Sequence, residues 1–220
     1  FVFVADDFIP APTLVRAHVE FHRHLQSPAV GIGPAFFRET LRADPFCRWL
    51  EDSGRLFGVP FRIAEQSWPR DFFYVGNASV PRRLFDRVGE FDEVFRHDLF
   101  DDFEFGVRLS ATGARTHYLP KAVAWHDHPV TLAERARAMR RCGVAARHCE
   151  GRHVAIRPWA KAVARPVAEY MAAVRRTEEA DRRGSTSATR SERYLALMDL
   201  AFTEGYHVAT NASEEIVGET

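Results

Sequence analysis

Cysteine and methionine are scarce in this sequence, lysine is nearly absent, and there is no long apolar run. The three cysteines, Cys47, Cys142 and Cys149, are odd in number and lack paired spacing. That argues against a disulfide framework and fits a reducing compartment. The longest stretch free of Asp, Glu, Lys, Arg and His runs from Leu25 to Phe37 and is broken by Pro28 and Pro34. It is too short for a membrane-spanning helix, which takes about 20 residues. No basic leader precedes Asp6, so no signal-peptide pattern is visible. Net charge is also lacking: 30 basic residues balance 30 acidic ones, and no nucleic-acid partner is called for. What remains is 220 residues, 46% hydrophobic and 27% charged, enough for one large domain or one domain with an appendage.

The neutral total hides a division. Residues 1–130 carry a net charge of −3, residues 131–183 one of +7 and residues 184–220 one of −4. The basic middle is almost all arginine; Lys121 and Lys161 are the two lysines of the chain. Three parts are expected at these boundaries: an α/β part, an Arg-rich helical extension, and a linker with a short helix and a frayed tail.

Phe1–Ala5 reads as a fully buried strand already under way, so the chain reads as the later part of a longer protein. Periodicity and punctuation predict helices over Ala11–Leu25, Phe36–Leu50, Pro81–Val88 and Asp101–Thr112, the last two stopped by Gly89 and Gly113. Strands are predicted over Ala29–Gly33, Asp71–Val75, Arg115–Leu119 and Ala122–Trp125. This interleaving predicts an α/β fold. Beyond it, Thr131–Cys149 and Pro158–Ala180 read as long helices. Arg182–Arg190 reads as a flexible linker, Ser191–Phe202 as a last helix, and the end from Thr210 as frayed.

Two acidic clusters stand out. Asp6-Asp7 follow a buried strand, where ligands bind in open α/β sheets. Adjacent carboxylates suit a hard cation such as Mg²⁺ or Mn²⁺; a plain turn is the competing reading. Asp101-Asp102 open a helix. Asp101 fits an N-cap with Glu104 as its capping-box partner, which leaves Asp102 at the positive helix end, able to take a proton from a hydroxyl. In His126-Asp127-His128, alternation puts the two imidazoles on one side, where one can complete a metal shell; for either histidine alone a polar surface turn is the simpler reading. His18 and His22 have zinc-like i,i+4 spacing without a third ligand and read as a solvated helix face. Gly76-Asn77-Ala78-Ser79 offers close backbone approach and hydrogen bonds to a hydroxyl-rich ligand, or a turn with Ser79 as a helix cap. Among the nearby aromatics, Phe72, Phe73, Tyr74, Phe91, Phe95, Phe100, Phe103 and Trp125, most belong to the core and one or two can stack on a sugar ring.

Taken in order, these segments resemble the later part of a family 2 glycosyltransferase of the GT-A type. Phe1-Val2-Phe3-Val4-Ala5-Asp6-Asp7 is similar to the strand ending in a DxD-type motif. Tyr74-Val75-Gly76-Asn77-Ala78-Ser79 is similar to the family's G-N-x-S segment, and Gly89-Glu90-Phe91-Asp92-Glu93-Val94-Phe95 to G-G-F-D-E-x-F. Asp101-Asp102-Phe103-Glu104-Phe105-Gly106-Val107-Arg108-Leu109 resembles the E-D-x-E-x-G-x-R-L block, and Tyr118–His126 resembles the closing strands with a metal-associated histidine. Ala5 stands where many members have the first Asp of the motif.

The resemblance implies a GT-A-like fold that lacks its N-terminal nucleotide-binding strands here and continues into a helical extension. It implies an inverting, metal-dependent transfer of a sugar from a nucleotide-diphosphate donor to a glycan, lipid-linked or small-molecule acceptor, in cell-surface polysaccharide biosynthesis. Carried over, Asp7 and His126 are the metal ligands for Mn²⁺ or Mg²⁺, Asp6 contacts the donor, and Asp102 is the catalytic base. Gly76, Asn77, Ser79, Asp101 and His128 are expected as donor or acceptor contacts. A cytoplasmic protein is expected, with the basic segment touching the inner membrane face. A non-catalytic glycosyltransferase-like scaffold and a metal-dependent phosphohydrolase are the alternative classes.

Overall fold

Short strands and helices alternate through the first part of the chain, as the patterning requires. The computed structural model describes residues 1–23, 28–56, 73–95, 100–152 and 166–217. Two units emerge: Phe1–Glu93 with Asp101–Pro129, and Val94–Phe100 with Val130–Thr220.

In the first unit the strands are β1 (Val2–Val4), β2 (Phe8–Pro10), β3 (Ala29–Ile32), β4 (Ala35–Phe37), β5 (Asn77–Ser79), β6 (Arg115–Tyr118) and β7 (Ala124–His126). The helices are α1 (Leu14–Arg23), α2 (Glu39–Arg42), α3 (Pro45–Asp52), α4 (Arg82–Val88) and α5 (Asp101–Ala111). A larger sheet has the order β1-β5-β3-β6 and a smaller one β2-β7-β4. β5 runs antiparallel to both β1 and β3, while β3 and β6 are parallel. So β1, β3 and β6 point the same way, and their carboxyl ends share one edge. A tight turn, closed by Phe8 N–H to Ala5 O at 3.1 Å, carries the chain from β1 into the smaller sheet.

One aromatic cluster holds this unit. Phe105 and Leu109 of α5 pack with Val30, Ile32, Phe73, Ala78, Val80 and Leu84, and Phe3, Phe85 and Phe91 close over them. Phe91 stacks on Phe105 with centroids 4.4 Å apart, and Phe3 meets Phe91 edge-on at 5.8 Å. Each ring so buried contributes about 1.5–3 kcal/mol. Arg108 adds a polar clamp. It donates to both oxygens of the buried Glu104 and to the carbonyls of Val88 and Glu90, which ties α5 to the end of α4.

Several expectations need correction. β1 is an edge strand, half open rather than fully buried: Phe3 faces the cluster while Val2 and Val4 are 38% and 39% exposed. Phe36–Leu50 is not one helix. Its first residues finish β4, and Pro45, with Asp44 capping Phe46 and Cys47, restarts the chain as α3. The strand expected over Asp71–Val75 is displaced to β5, and Val75-Gly76 form the turn before it; residues 71 and 72 lie outside the described residues. Glu104 is engaged by Arg108, and α5 begins at Asp101 itself. No call for a disulfide arises: the three cysteines are free thiols.

The second unit contains α6 (Leu132–Arg152), α7 (Val167–Arg183) and α8 (Ser187–Val217). Thr131 and Glu134 form a reciprocal cap at the start of α6. α6 and α8 touch backbone to backbone: a Cβ added at Gly143 would lie 2.0 Å from Phe202 O, and one at Gly205 1.9 Å from Arg140 O. Beside that contact the Tyr206 hydroxyl donates to the buried carboxylate of Glu150. Burial and this carboxylate push the phenol up to about 12. The expected linker Arg182–Arg190 contracts to residues 184–186, because Thr186 and Thr189 cap α8 and Asp181 holds Arg193 across the turn. The last helix is longer than its pattern, reaching Val217. Among the described residues no helix is long and apolar enough to cross a membrane.

Candidate active site

Asp6 and Asp7 occupy the middle of the turn between the two sheets. Its backbone is held at three points: Ala5 N–H to Gly76 O, Phe8 N–H to Ala5 O, and Asp127 N–H to Asp7 O at 3.0 Å. Asp6 is exposed and Asp7 half-buried. The β2–β7 register places Phe8 opposite His126, so the carboxylate just before Phe8 reaches the imidazole. Asp7 Oδ2 and His126 Nε2 stand 3.1 Å apart, the first 40% exposed and the second 8%.

His126 is packed edge-on against Phe8 and Phe37. Burial pulls its pKa below the ordinary histidine range, opposed by the neighbouring Asp7 carboxylate. A neutral ring is the form that ligates a metal. Two cis ligands on an octahedral cation at about 2.1 Å stand about 3.0 Å apart, so the Asp7–His126 spacing fits such a pair. Among the described residues no cluster of three or more His, Cys, Asp or Glu joins them. Asp7 and His126 are the residues that could hold Mg²⁺ or Mn²⁺, which take one or two protein ligands and fill the rest with water and phosphate oxygens. His128 lies nearby, its ring 6.2 Å from that of His126, and is exposed. Asp127 points the other way, to Arg38 Nη1 at 3.0 and 3.1 Å.

Asp101 and Asp102 open α5. The turn after α5 sends the chain back into β6, parallel to β3, and Phe105 and Leu109 pack onto the sheet. Asp102 Oδ1 accepts from Phe103 N–H at 2.7 Å. Burial raises the pKa of Asp101, against backbone N–H groups that lower it.

Asn77 and Ser79 are fully buried, and their side chains turn inward instead of toward a ligand. Asn77 Nδ2 donates to Pro34 O at 3.0 Å and Ala122 O at 2.7 Å, and its Oδ1 meets His18 Nε2 at 3.0 Å. Ser79 Oγ lies 2.8 Å from both His18 Nδ1 and His22 Nε2. Gly76 is buried too; a Cβ there would meet the Tyr74 hydroxyl at 2.4 Å. The reading of His18 and His22 as a solvated face is corrected: His18 has no exposed surface. Periodicity puts Asn77 and Ser79 on one strand face and His18 and His22 on one helix face, but it does not show that the two faces meet. Arg108 was likewise legible only as a motif letter.

Residues 70–145 match the family described as "Glycosyltransferase like family 2". Chondroitin synthase of Pasteurella multocida (strain Pm70) is 35% identical over 78 residues, 36% of this chain and 7% of that protein. Chondroitin synthase of Escherichia coli is 36% identical over 78 residues, 36% of this chain and 10% of that protein. The matched segment thus spans a small part of these relatives. It includes β5, the Arg108 clamp, Asp101-Asp102 and the His126 strand, while the Asp6-Asp7 motif lies outside it: over residues 70–145 this chain is similar to the family 2 glycosyltransferases.

Proposed function

We propose that this chain belongs to a metal-dependent, inverting glycosyltransferase of the GT-A type, moving a sugar from a nucleotide-diphosphate donor to a glycan acceptor. The observation that carries this is the Asp7–His126 pair, 3.1 Å apart across the seam of the two sheets. The family match over residues 70–145 supports it from outside the chain. The relatives named chondroitin synthase favour an acceptor that is a polysaccharide.

Asp7 and His126 would hold the cation, and Asp6, exposed beside them, would contact the donor. The cation, when bound, offsets negative charge on the leaving diphosphate. Asp102 takes the proton of the acceptor hydroxyl as its oxygen attacks the anomeric carbon from the side opposite the diphosphate, which inverts that centre. Asp101, beside it at the start of α5, is assigned an acceptor contact, with His128 on the donor side. The arginines of α6 and α7 would meet the cytoplasmic membrane face.

Calorimetry of a nucleotide-diphosphate sugar with and without Mn²⁺ tests this reading. Binding should need the metal in the wild-type protein and weaken sharply in Asp7→Ala. Metal-independent binding, unchanged in Asp7→Ala, would favour the scaffold reading.

A further inference from the structure

A second surface of the small sheet has its own chemistry. Trp125 and His126 are consecutive in β7, so their side chains leave opposite faces. One face carries the row Phe8, His126 and Phe37; the other carries Ile9, Trp125 and Phe36, paired across β2, β7 and β4. The second row is open: Ile9 is 42% and Trp125 37% exposed. It borders an open cleft of about 460 Å³ lined by Ile9, Arg38, Glu39, Thr40 and Trp125. Arg38 and the first turn of α2 supply the polar wall.

Arg38 is fixed in this wall by its pair with Asp127 and by its own N–H to His126 O at 3.2 Å. Among the described residues its guanidinium pairs with Asp127 through Nη1 alone, and Arg38 lines the cleft. Together the lining offers an indole face, one aliphatic side chain, a guanidinium edge, a carboxylate and a hydroxyl. A pyranose ring matches that set, with an apolar C–H face for the indole and a rim of hydroxyls for the charged groups. A guanidinium edge also suits a sugar carboxylate. The volume lies within the range of small-ligand sites. A protein partner would need about 800 Å² of surface, far more than two apolar side chains ringed by charge provide.

We propose that this cleft is a secondary glycan-binding site, with one sugar ring stacked on Trp125 and the saccharide held away from its reacting end. The inference rests on the glycosyltransferase reading for its choice of ligand. It predicts that acceptor affinity grows with saccharide length, and that Trp125 is the source of the gain.

The experiment titrates the protein with disaccharides and hexasaccharides, in a neutral series and a series carrying uronic-acid carboxylates. The ¹H–¹⁵N indole signal of Trp125 is followed, assigned with Trp125→Phe. Hexasaccharides should shift that signal and disaccharides barely. Affinity for the hexasaccharide should fall about tenfold in Trp125→Ala, with partial recovery in Trp125→Phe. Disaccharide and donor affinities should not change. An unmoved indole, or hexasaccharide affinity equal in wild type and Trp125→Ala, overturns the proposal. So does a shift that follows protein concentration alone, which would mark contact with a second copy. Were Trp125→Ala unable to fold, the wild-type indole signal still decides. Donor binding that persists while the indole stays still sinks the cleft alone; loss of metal-dependent donor binding sinks the glycosyltransferase reading, whatever the saccharides do.

Discussion

Asn77 decides which nitrogen of His18 carries the proton. Its Nδ2 donates to two carbonyl oxygens, those of Pro34 and Ala122, so Oδ1 must face His18 as an acceptor. His18 Nε2 is therefore protonated. Burial pulls the His18 pKa below the usual range, so the ring is neutral and Nδ1 accepts from the Ser79 hydroxyl. Ser79 Oγ is then left to accept from His22 Nε2. The chain runs one way, from His22 through Ser79 and His18 to Asn77, and it joins α1 to the middle of the larger sheet.

Asn77→Ala should cost about 3–5 kcal/mol, because it strips partners from two buried carbonyls and from His18 Nε2. Ser79→Ala should cost less, about 1–2 kcal/mol. Urea unfolding midpoints check both. Equal and small losses would mean that water replaces the chain.

The same histidines set a pH dependence. The folded-state pKa values of His18 and His22 lie below the ordinary histidine value of about 6.5, first because of burial. The unfolded chain therefore binds protons that the folded one refuses. Stability is full above about pH 6.5 and falls as the pH drops through the window below it. The urea midpoint at pH 5.5 should be lower than at pH 7.5, and the double variant His18→Gln with His22→Gln should flatten the difference.

Asp102→Asn should lower transfer about 10²–10⁴-fold in the intact protein and leave donor binding as it was. Single-turnover transfer and donor calorimetry, read side by side, separate the two. Normal turnover would remove Asp102 from the reaction.

Arg108→Ala should destabilise by about 2–4 kcal/mol, since it leaves the carboxylate of Glu104 buried without its cation. Arg108→Ala with Glu104→Gln should recover part of the loss. A double-mutant cycle measures the coupling.

Gly143→Ala and Gly205→Ala should each cost about 1–3 kcal/mol, since neither added Cβ has room between α6 and α8. Thermal unfolding of the single variants shows it.

Asp7, His126 and Asp102 stood out in the sequence because they sit in short motifs with fixed neighbours, and the structure brings Asp7 and His126 to 3.1 Å. Their pairing came from the family resemblance alone, since the contact depends on a sheet register between residues at opposite ends of the unit. Asn77 and Ser79 looked like ligand contacts because polar residues after an expected strand usually face solvent; their partner His18 lies 59 positions earlier than Asn77, beyond any local pattern. The spacing of His18 and His22 shows that they share a helix face, not what covers it. Composition misjudged residues 182–190 because Ser and Thr, common in linkers, serve here as caps.

The small sheet draws its three strands from residues 8–10, 35–37 and 124–126. A chain leaving the ribosome has delivered every residue from Asp7 to His126 before the two can meet, so this contact is among the last parts of the unit to assemble. Until then the acidic turn of the nascent chain lacks the His126 imidazole, and a truncated product ending before β7 would keep the carboxylates and never gain that partner.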